Sequence, residues 1–243
     1  MMTRDISYEC DGERLTGYLA DDEARSGTRP GILVCHQGGG MTDHTKERAR
    51  MLAELGYVAF ALDMYGTVAK APAEAMPLMQ EVLQNPNLMR RRALAGLDVL
   101  KSQAGVDTRR LAAIGYCFGG ALVLEMARIT ADLKCVVAFH PGMAPPVPLP
   151  EKDDRPMHVK VMVCAGADDP FIPPTSREKF IELMTSVGAD WQLIVYSGAG
   201  HSFTDKAVDQ LNLPGFKYHA PTDARSWMAM RNLFDECFGP VQR

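Results

Sequence analysis

None of the six cysteines falls in a Cys-x-x-Cys pair; they stand apart at positions 10, 35, 117, 135, 164 and 237. That spacing excludes a disulfide framework and a zinc ribbon, and it fits a reducing, cytoplasmic setting. No apolar stretch approaches the roughly 20 residues that cross a bilayer. The opening Met1-Met2-Thr3-Arg4-Asp5-Ile6 also lacks an apolar core of signal-peptide length, so no membrane partner is expected. Positive charge is not in excess: 26 Lys and Arg stand against 30 Asp and Glu, a formal net charge of −4 that argues against nucleic acid as partner. The one basic cluster, Arg90-Arg91-Arg92, reads as a solvated helix face. His36, His44, His140, His158 and His219 show no metal-ligand spacing, so no metal is expected. The 15 methionines read as core filler. Internal repeats, low-complexity tracts and linkers are absent, and 1–243 is expected to be a single soluble domain.

What the chain does have is a regular alternation of short apolar runs and helical patterns. Ile6–Cys10 and Leu15–Leu19 flank Asp11-Gly12, a hairpin signal. Gly31–Cys35, Tyr57–Leu62, Leu111–Ile114, Cys135–Phe139, Val159–Ala165 and Trp191–Tyr196 read as buried strands. Between them, helices are expected over Thr45–Leu55, Leu88–Lys101, Ala121–Arg128 and Ser176–Val187, with a last one over Thr222–Phe238. Val68–Pro86, with three prolines, reads as a connecting excursion that can hold a short helix. Pro141–Pro156, with six prolines, reads as irregular, and Lys206–Tyr218 as a further excursion. Strands alternating with helices imply an α/β fold with a mainly parallel sheet and helices on both faces.

The most informative stretch is Leu111-Ala-Ala-Ile-Gly-Tyr-Cys-Phe-Gly-Gly-Ala-Leu122. A strand runs into Gly-x-Cys-x-Gly-Gly and a helix follows, the setting of a nucleophile elbow with cysteine in place of serine. Glycines two residues either side of Cys117 leave room for the tight turn. Two further strand ends carry Asp168-Asp169 and His201, so that nucleophile, acid and histidine follow the chain order of α/β-hydrolases. In this reading His201 takes and returns the Cys117 proton, while Asp169 (with Asp168 as rival) orients the imidazole. Backbone N–H groups of Phe118 and of Gly38, in the glycine-rich His36–Gly40 loop, are the expected oxyanion donors. Gln37, Met64, Tyr65, Phe171 and Phe203 sit beside the strand-end loops as candidate pocket residues.

With these pieces in place the chain resembles the dienelactone hydrolase (carboxymethylenebutenolidase) family. The resemblance rests on Gly-Tyr-Cys-Phe-Gly-Gly (115–120), Gly-Ala-Asp-Asp-Pro-Phe-Ile-Pro (166–173) and Gly-His-Ser-Phe (200–203). Leu52–Ala59, Asp63–Gly66 and Ala224–Trp227 also fit. It implies the α/β-hydrolase fold and cofactor-free hydrolysis of small-molecule esters or lactones through a Cys-His-Asp acyl-enzyme; a monomer or small homo-oligomer is expected. The family's Gly-x-x-Asp-x-x-Ile/Val-Pro pattern selects Asp169 over Asp168. Two positions depart from it: Gln37 stands where members often carry glutamate, and Asp205 where lactone hydrolases carry an arginine for the substrate carboxylate. The same triad could serve a thioesterase, and a silent ligand-binding or redox-sensing protein with a poised Cys117 is the reading from a different class.

Overall fold

The computed structural model describes residues 1–129, 132–142 and 157–239. Strands β1 (Met2–Cys10) and β2 (Glu13–Asp21) form a hairpin whose Asp11 and Gly12 both take positive φ, 55° and 80°. A two-residue turn with that geometry matches the twist of the strands it joins, which is why Asp-Gly marks it in the sequence. The hairpin is the antiparallel edge of an eight-stranded sheet. The other strands are β3 (Arg29–Cys35), β4 (Val58–Leu62), β5 (Val106–Tyr116), β6 (Leu133–Phe139), β7 (Lys160–Gly166) and β8 (Trp191–Tyr196). The sheet order is β1-β2-β4-β3-β5-β6-β7-β8, and β4 through β8 run parallel to one another.

Every residue of β3 and β4 is buried, as their unbroken apolar runs demand. Alternate side chains feed two cores. Leu33, Phe60 and Val163 pack against α3 (Pro86–Lys101), α4 (Phe118–Ile129) and α5 (Pro174–Ser186) on one face. Ile32, Ala59 and Met162 pack against α1 (Asp43–Glu54) and α6 (Ala220–Phe238) on the other. No helix among the described residues is long and apolar enough to cross a membrane.

Two expectations need correction. The excursion at 68–86 holds a 13-residue helix, α2 (Pro72–Gln84). Pro72 and Pro86 each open a helix, where the missing N–H costs nothing, and only Pro77 lies inside one. Only Val82 of α2 is buried, so it is a surface helix, and its short apolar face explains its weak signal in the sequence. The basic cluster is not one solvated face: Arg92 is buried and donates to Met64 O at 2.5 Å. The 100° advance per residue turns it inward beside Met89 and Ala93, while Arg91 meets Asp11 outside. Most of the proline-rich 141–156 stretch lies outside the described residues.

The parallel strands deliver their following loops to a single edge. Cys117 follows β5, Gln37-Gly38 follow β3, Met64-Tyr65 follow β4, Asp169 follows β7 and His201 follows β8.

Candidate active site

Cys117 occupies the turn between β5 and α4 with φ of 53°, a left-handed conformation that only a determined environment imposes on a residue with a side chain. Its N–H donates to Phe139 O at 3.0 Å, and its carbonyl accepts from Ala121 N at 3.2 Å, fixing both ends of the peptide. The turn closes so tightly that a Cβ on Gly115 would lie 1.9 Å from Gly119 O, and one on Gly119 would lie 2.3 Å from Cys35 O. This is the physical demand behind the glycines of the motif.

The three side chains picked from the sequence meet. His201 Nε2 lies 3.1 Å from Cys117 Sγ, and His201 Nδ1 lies 2.8 Å from Asp169 Oδ2. The second Asp169 oxygen accepts from Phe171 N at 2.8 Å, so the carboxylate cannot swing away. Asp169 and His201 are buried, whereas Asp168 is exposed beside them. The segment bearing His201 is tied down by a short bridge: His201 N donates to Gly215 O at 2.8 Å, and Lys217 N to His201 O at 3.0 Å.

Charge follows from this packing. Burial pushes the Cys117 thiol up, but the adjacent His201 and the backbone N–H groups of Phe118 and Gly38 outweigh it and leave the thiol below its ordinary value. For His201, burial resists the imidazolium, yet the Cys117 sulfur and the Asp169 carboxylate raise it to about 10. The two groups therefore favour a thiolate beside an imidazolium, and they titrate as a pair. At Cys35 and Cys164 no imidazole opposes burial, which drives Cys35 upward and, against an opposing hydrogen bond with Tyr196, Cys164 to about 12. The Phe118 and Gly38 N–H groups expected at the oxyanion thus converge on the sulfur from two different loops.

The candidate pocket residues divide. Phe171 is half exposed, with its ring centroid 4.9 Å from that of His201. Gln37 and Tyr65 are partly buried at the site. Met64 and Phe203, expected to line the pocket, are fully buried and belong to the two cores. Ser202, at φ of 55°, turns the chain inward after His201 and sends Phe203 under His140.

Several neighbours were not singled out in the sequence. Phe216 has its ring centroid 4.9 Å from that of His201 and 5.2 Å from that of Phe171. Its signal was hidden in a segment with no periodicity. His140 stacks edge-on against His201 at 5.3 Å and meets Thr204 Oγ1 at 2.8 Å. His36 Nε2 accepts from Met64 N at 3.1 Å while its Nδ1 donates to Gln37 O at 2.6 Å, which requires the neutral imidazole that its burial favours. Among the described residues, no group of three or more His, Cys, Asp and Glu is placed to hold a metal ion.

Comparison with known proteins identifies the family. The profile of the dienelactone hydrolase family matches residues 15–238. A Yersinia pestis protein named, by inference, a carboxymethylenebutenolidase is 27% identical over 238 residues, covering 93% of this chain and 85% of its own. Among solved structures, a dienelactone hydrolase-like promiscuous phosphotriesterase from metagenomic libraries superposes with a TM-score of 0.91 at 40% identity, covering 98% of this chain and 99% of its own. The protein m3DLH gives 0.90 at 40% identity, with 98% of each chain covered. An esterase of Thermogutta terrifontis, at 16% identity and a TM-score of 0.64, shares the fold. The chain belongs to the dienelactone hydrolase family and is a hydrolase on the α/β-hydrolase fold.

Proposed function

We propose that the chain hydrolyses small, uncharged esters or lactones through a covalent acyl-enzyme on Cys117. The observation that carries this reading is the unbroken path Asp169–His201–Cys117, at 2.8 and 3.1 Å, with two backbone N–H groups facing the same sulfur. The thiolate attacks the carbonyl carbon, an S–C bond forms, and the displaced electron pair collects on oxygen, where Phe118 and Gly38 N–H donate to it. Collapse breaks the bond to the leaving oxygen, which takes the proton from the His201 imidazolium. Acylation removes the negative charge on sulfur, and with it one support of the imidazolium. His201 is then neutral and takes a proton from water as that water attacks the thioester. The second collapse breaks the C–S bond and returns the electron pair to sulfur beside the imidazolium that the water has already protonated, and the product leaves as the carboxylic acid.

A second reading is favoured by the 40% identical relative described as a promiscuous phosphotriesterase. The same thiolate would displace an aryloxide from a neutral phosphotriester. The deciding experiment runs aryl ester, lactone, thioester and phosphotriester substrates on wild type and Cys117→Ala, with intact-mass detection of the adduct. An acyl or phosphoryl mass on wild type, absent from the variant, is the expected result. Turnover retained by Cys117→Ala would overturn the mechanism, and a wild type that turns over none of the panel would favour a binding role.

A further inference from the structure

The Tyr65 hydroxyl is buried at the site, and among the described residues it has no hydrogen-bond partner. The turn that carries it is held by hydrogen bonds on both sides. Asp63 Oδ1 accepts from Tyr65 N at 2.9 Å and Gly66 N at 3.0 Å. His36 receives the Met64 N–H at 3.1 Å, and buried Arg92 donates to the Met64 carbonyl at 2.5 Å. Three buried side chains thus hold one short turn, and the side chain it presents carries an unmet polar group. An orphaned buried hydroxyl costs about 1–3 kcal/mol, so its retention calls for an acceptor that arrives from outside the chain.

The position of the ring says which acceptor. Its centroid lies 4.7 Å from His36 and 5.5 Å from Phe118. Those residues begin the two segments whose N–H groups, at Gly38 and Phe118, face Cys117 Sγ. His201, with its aromatic neighbours Phe171 and Phe216, reaches the sulfur from a different segment, the loop after β8. A leaving group needs the His201 side, where its proton comes from, whereas the oxygen that gains charge must face the N–H groups. Resting on the acyl-enzyme reading above, we propose that the Tyr65 hydroxyl is a third oxyanion donor, hydrogen-bonding the tetrahedral oxygen alongside Phe118 and Gly38 N–H.

The phenol is suited to donate and not to act as a base. Burial raises it above its ordinary value, and the nearby Cys117 and Asp63 charges raise it further, so it keeps its proton at every working pH. With Tyr65 the site offers both backbone donors and one side-chain donor, and only the last can be removed by substitution without disturbing the main chain.

Tyr65→Phe keeps the ring and deletes the donor. With p-nitrophenyl acetate as substrate, it should lower kcat roughly 10²-fold, in both the burst and the steady state, and leave KM within a few-fold. Because the resting enzyme loses no internal hydrogen bond, its thermal midpoint should equal or exceed that of wild type. Wild-type turnover by Tyr65→Phe, or a lowered midpoint showing that the hydroxyl had a partner inside the fold, overturns the inference. Cys117→Ala is assayed in parallel. If it abolishes turnover while Tyr65→Phe does not, only the role of Tyr65 falls; if Cys117→Ala stays active, the acyl-enzyme reading falls first.

Discussion

The Gln37 side-chain amide donates to Asp205 Oδ2 at 2.7 Å, joining the loop that carries Gly38 to the loop that carries His201. Ser202 Oγ completes the link by donating to Gln37 Oε1 at 3.3 Å, and Asp205 Oδ1 accepts from Ala207 N at 2.9 Å. The two positions that the sequence marks out against the family pattern are therefore partners in the structure. An amide opposite a carboxylate is a matched pair, whereas two carboxylates at this distance would repel.

This pairing predicts the outcome of a charge cycle. Gln37→Glu alone should lower stability by about 1–2 kcal/mol, because it removes a donor and sets a like charge against Asp205. Gln37→Glu with Asp205→Asn reverses the polarity of the same hydrogen bond and should recover most of that loss. Denaturant unfolding of the four proteins checks it. A double variant no more stable than Gln37→Glu would show that the contact contributes nothing.

Thiol reactivity should report the His201–Cys117 pair directly. The Cys117 thiol is held below its ordinary value, so thiolate persists on the acid side, and His201, raised to about 10, stays charged until strongly alkaline pH. Iodoacetamide should therefore alkylate Cys117 at about pH 6.5 far faster than a free thiol of pKa about 8.5. His201→Ala removes the main opponent of burial, and its profile should move to alkaline pH, with at least about tenfold slower reaction near neutrality. Asp169→Asn should produce a smaller shift in the same direction. Superimposable profiles for wild type and His201→Ala would exclude the ion pair.

The parts of this site that could be read from the sequence are those whose chemistry is local. Cys117 announces itself because its turn needs glycines at 115 and 119, and those glycines are visible as letters. The strand-end positions of Asp169 and His201 follow from apolar runs of strand length. The choice of Asp169 over Asp168 needed the family's motif, since adjacent aspartates look alike until one is seen buried and the other exposed. What stayed hidden depends on contacts between distant segments. Arg92 looked like part of a basic surface run, yet helix phase turns it inward to hold the Met64 carbonyl. Phe203 follows His201 closely in the motif, but the left-handed Ser202 carries it away from the substrate side. The bond between Gln37 and Asp205 is not legible at all, because it joins two loops 168 residues apart that meet only in the fold.

Substrate charge gives a further check. Both oxygens of Asp205 accept hydrogen bonds, but neither partner is a cation, so its negative charge stays at the edge of the site. Neutral esters and lactones should be preferred over carboxylated ones. Asp205→Asn should raise kcat/KM for a carboxylated lactone by roughly 3- to 10-fold, mostly through KM, and the gain should shrink as salt is added. Equal effects on neutral and carboxylated substrates would mean that the substitution acts through loop geometry and not through charge.

The elbow offers the severest structural test. A methyl group on Gly115 would sit 1.9 Å from Gly119 O, 2.3 Å from Gly119 C and 2.8 Å from Gly120 N, all of them backbone atoms with no side-chain rotamer to yield. Gly115→Ala can be accommodated only if the first turn of α4 moves away from β5, and that turn carries the Phe118 N–H. Such overpacking costs typically 1–3 kcal/mol and more where backbone must shift, so Gly115→Ala should lose activity by at least about 10²-fold even where the protein still folds. Gly142 is the matched control, because among the described residues a Cβ there meets nothing within 4 Å. Its backbone N–H, which donates to Cys117 O at 3.4 Å, survives substitution by alanine. Gly142→Ala should therefore stay within about 0.5 kcal/mol of wild type and keep its turnover. A Gly115→Ala protein with normal kcat and normal alkylation at Cys117 would show that the tight closure of the turn is not what positions the thiol.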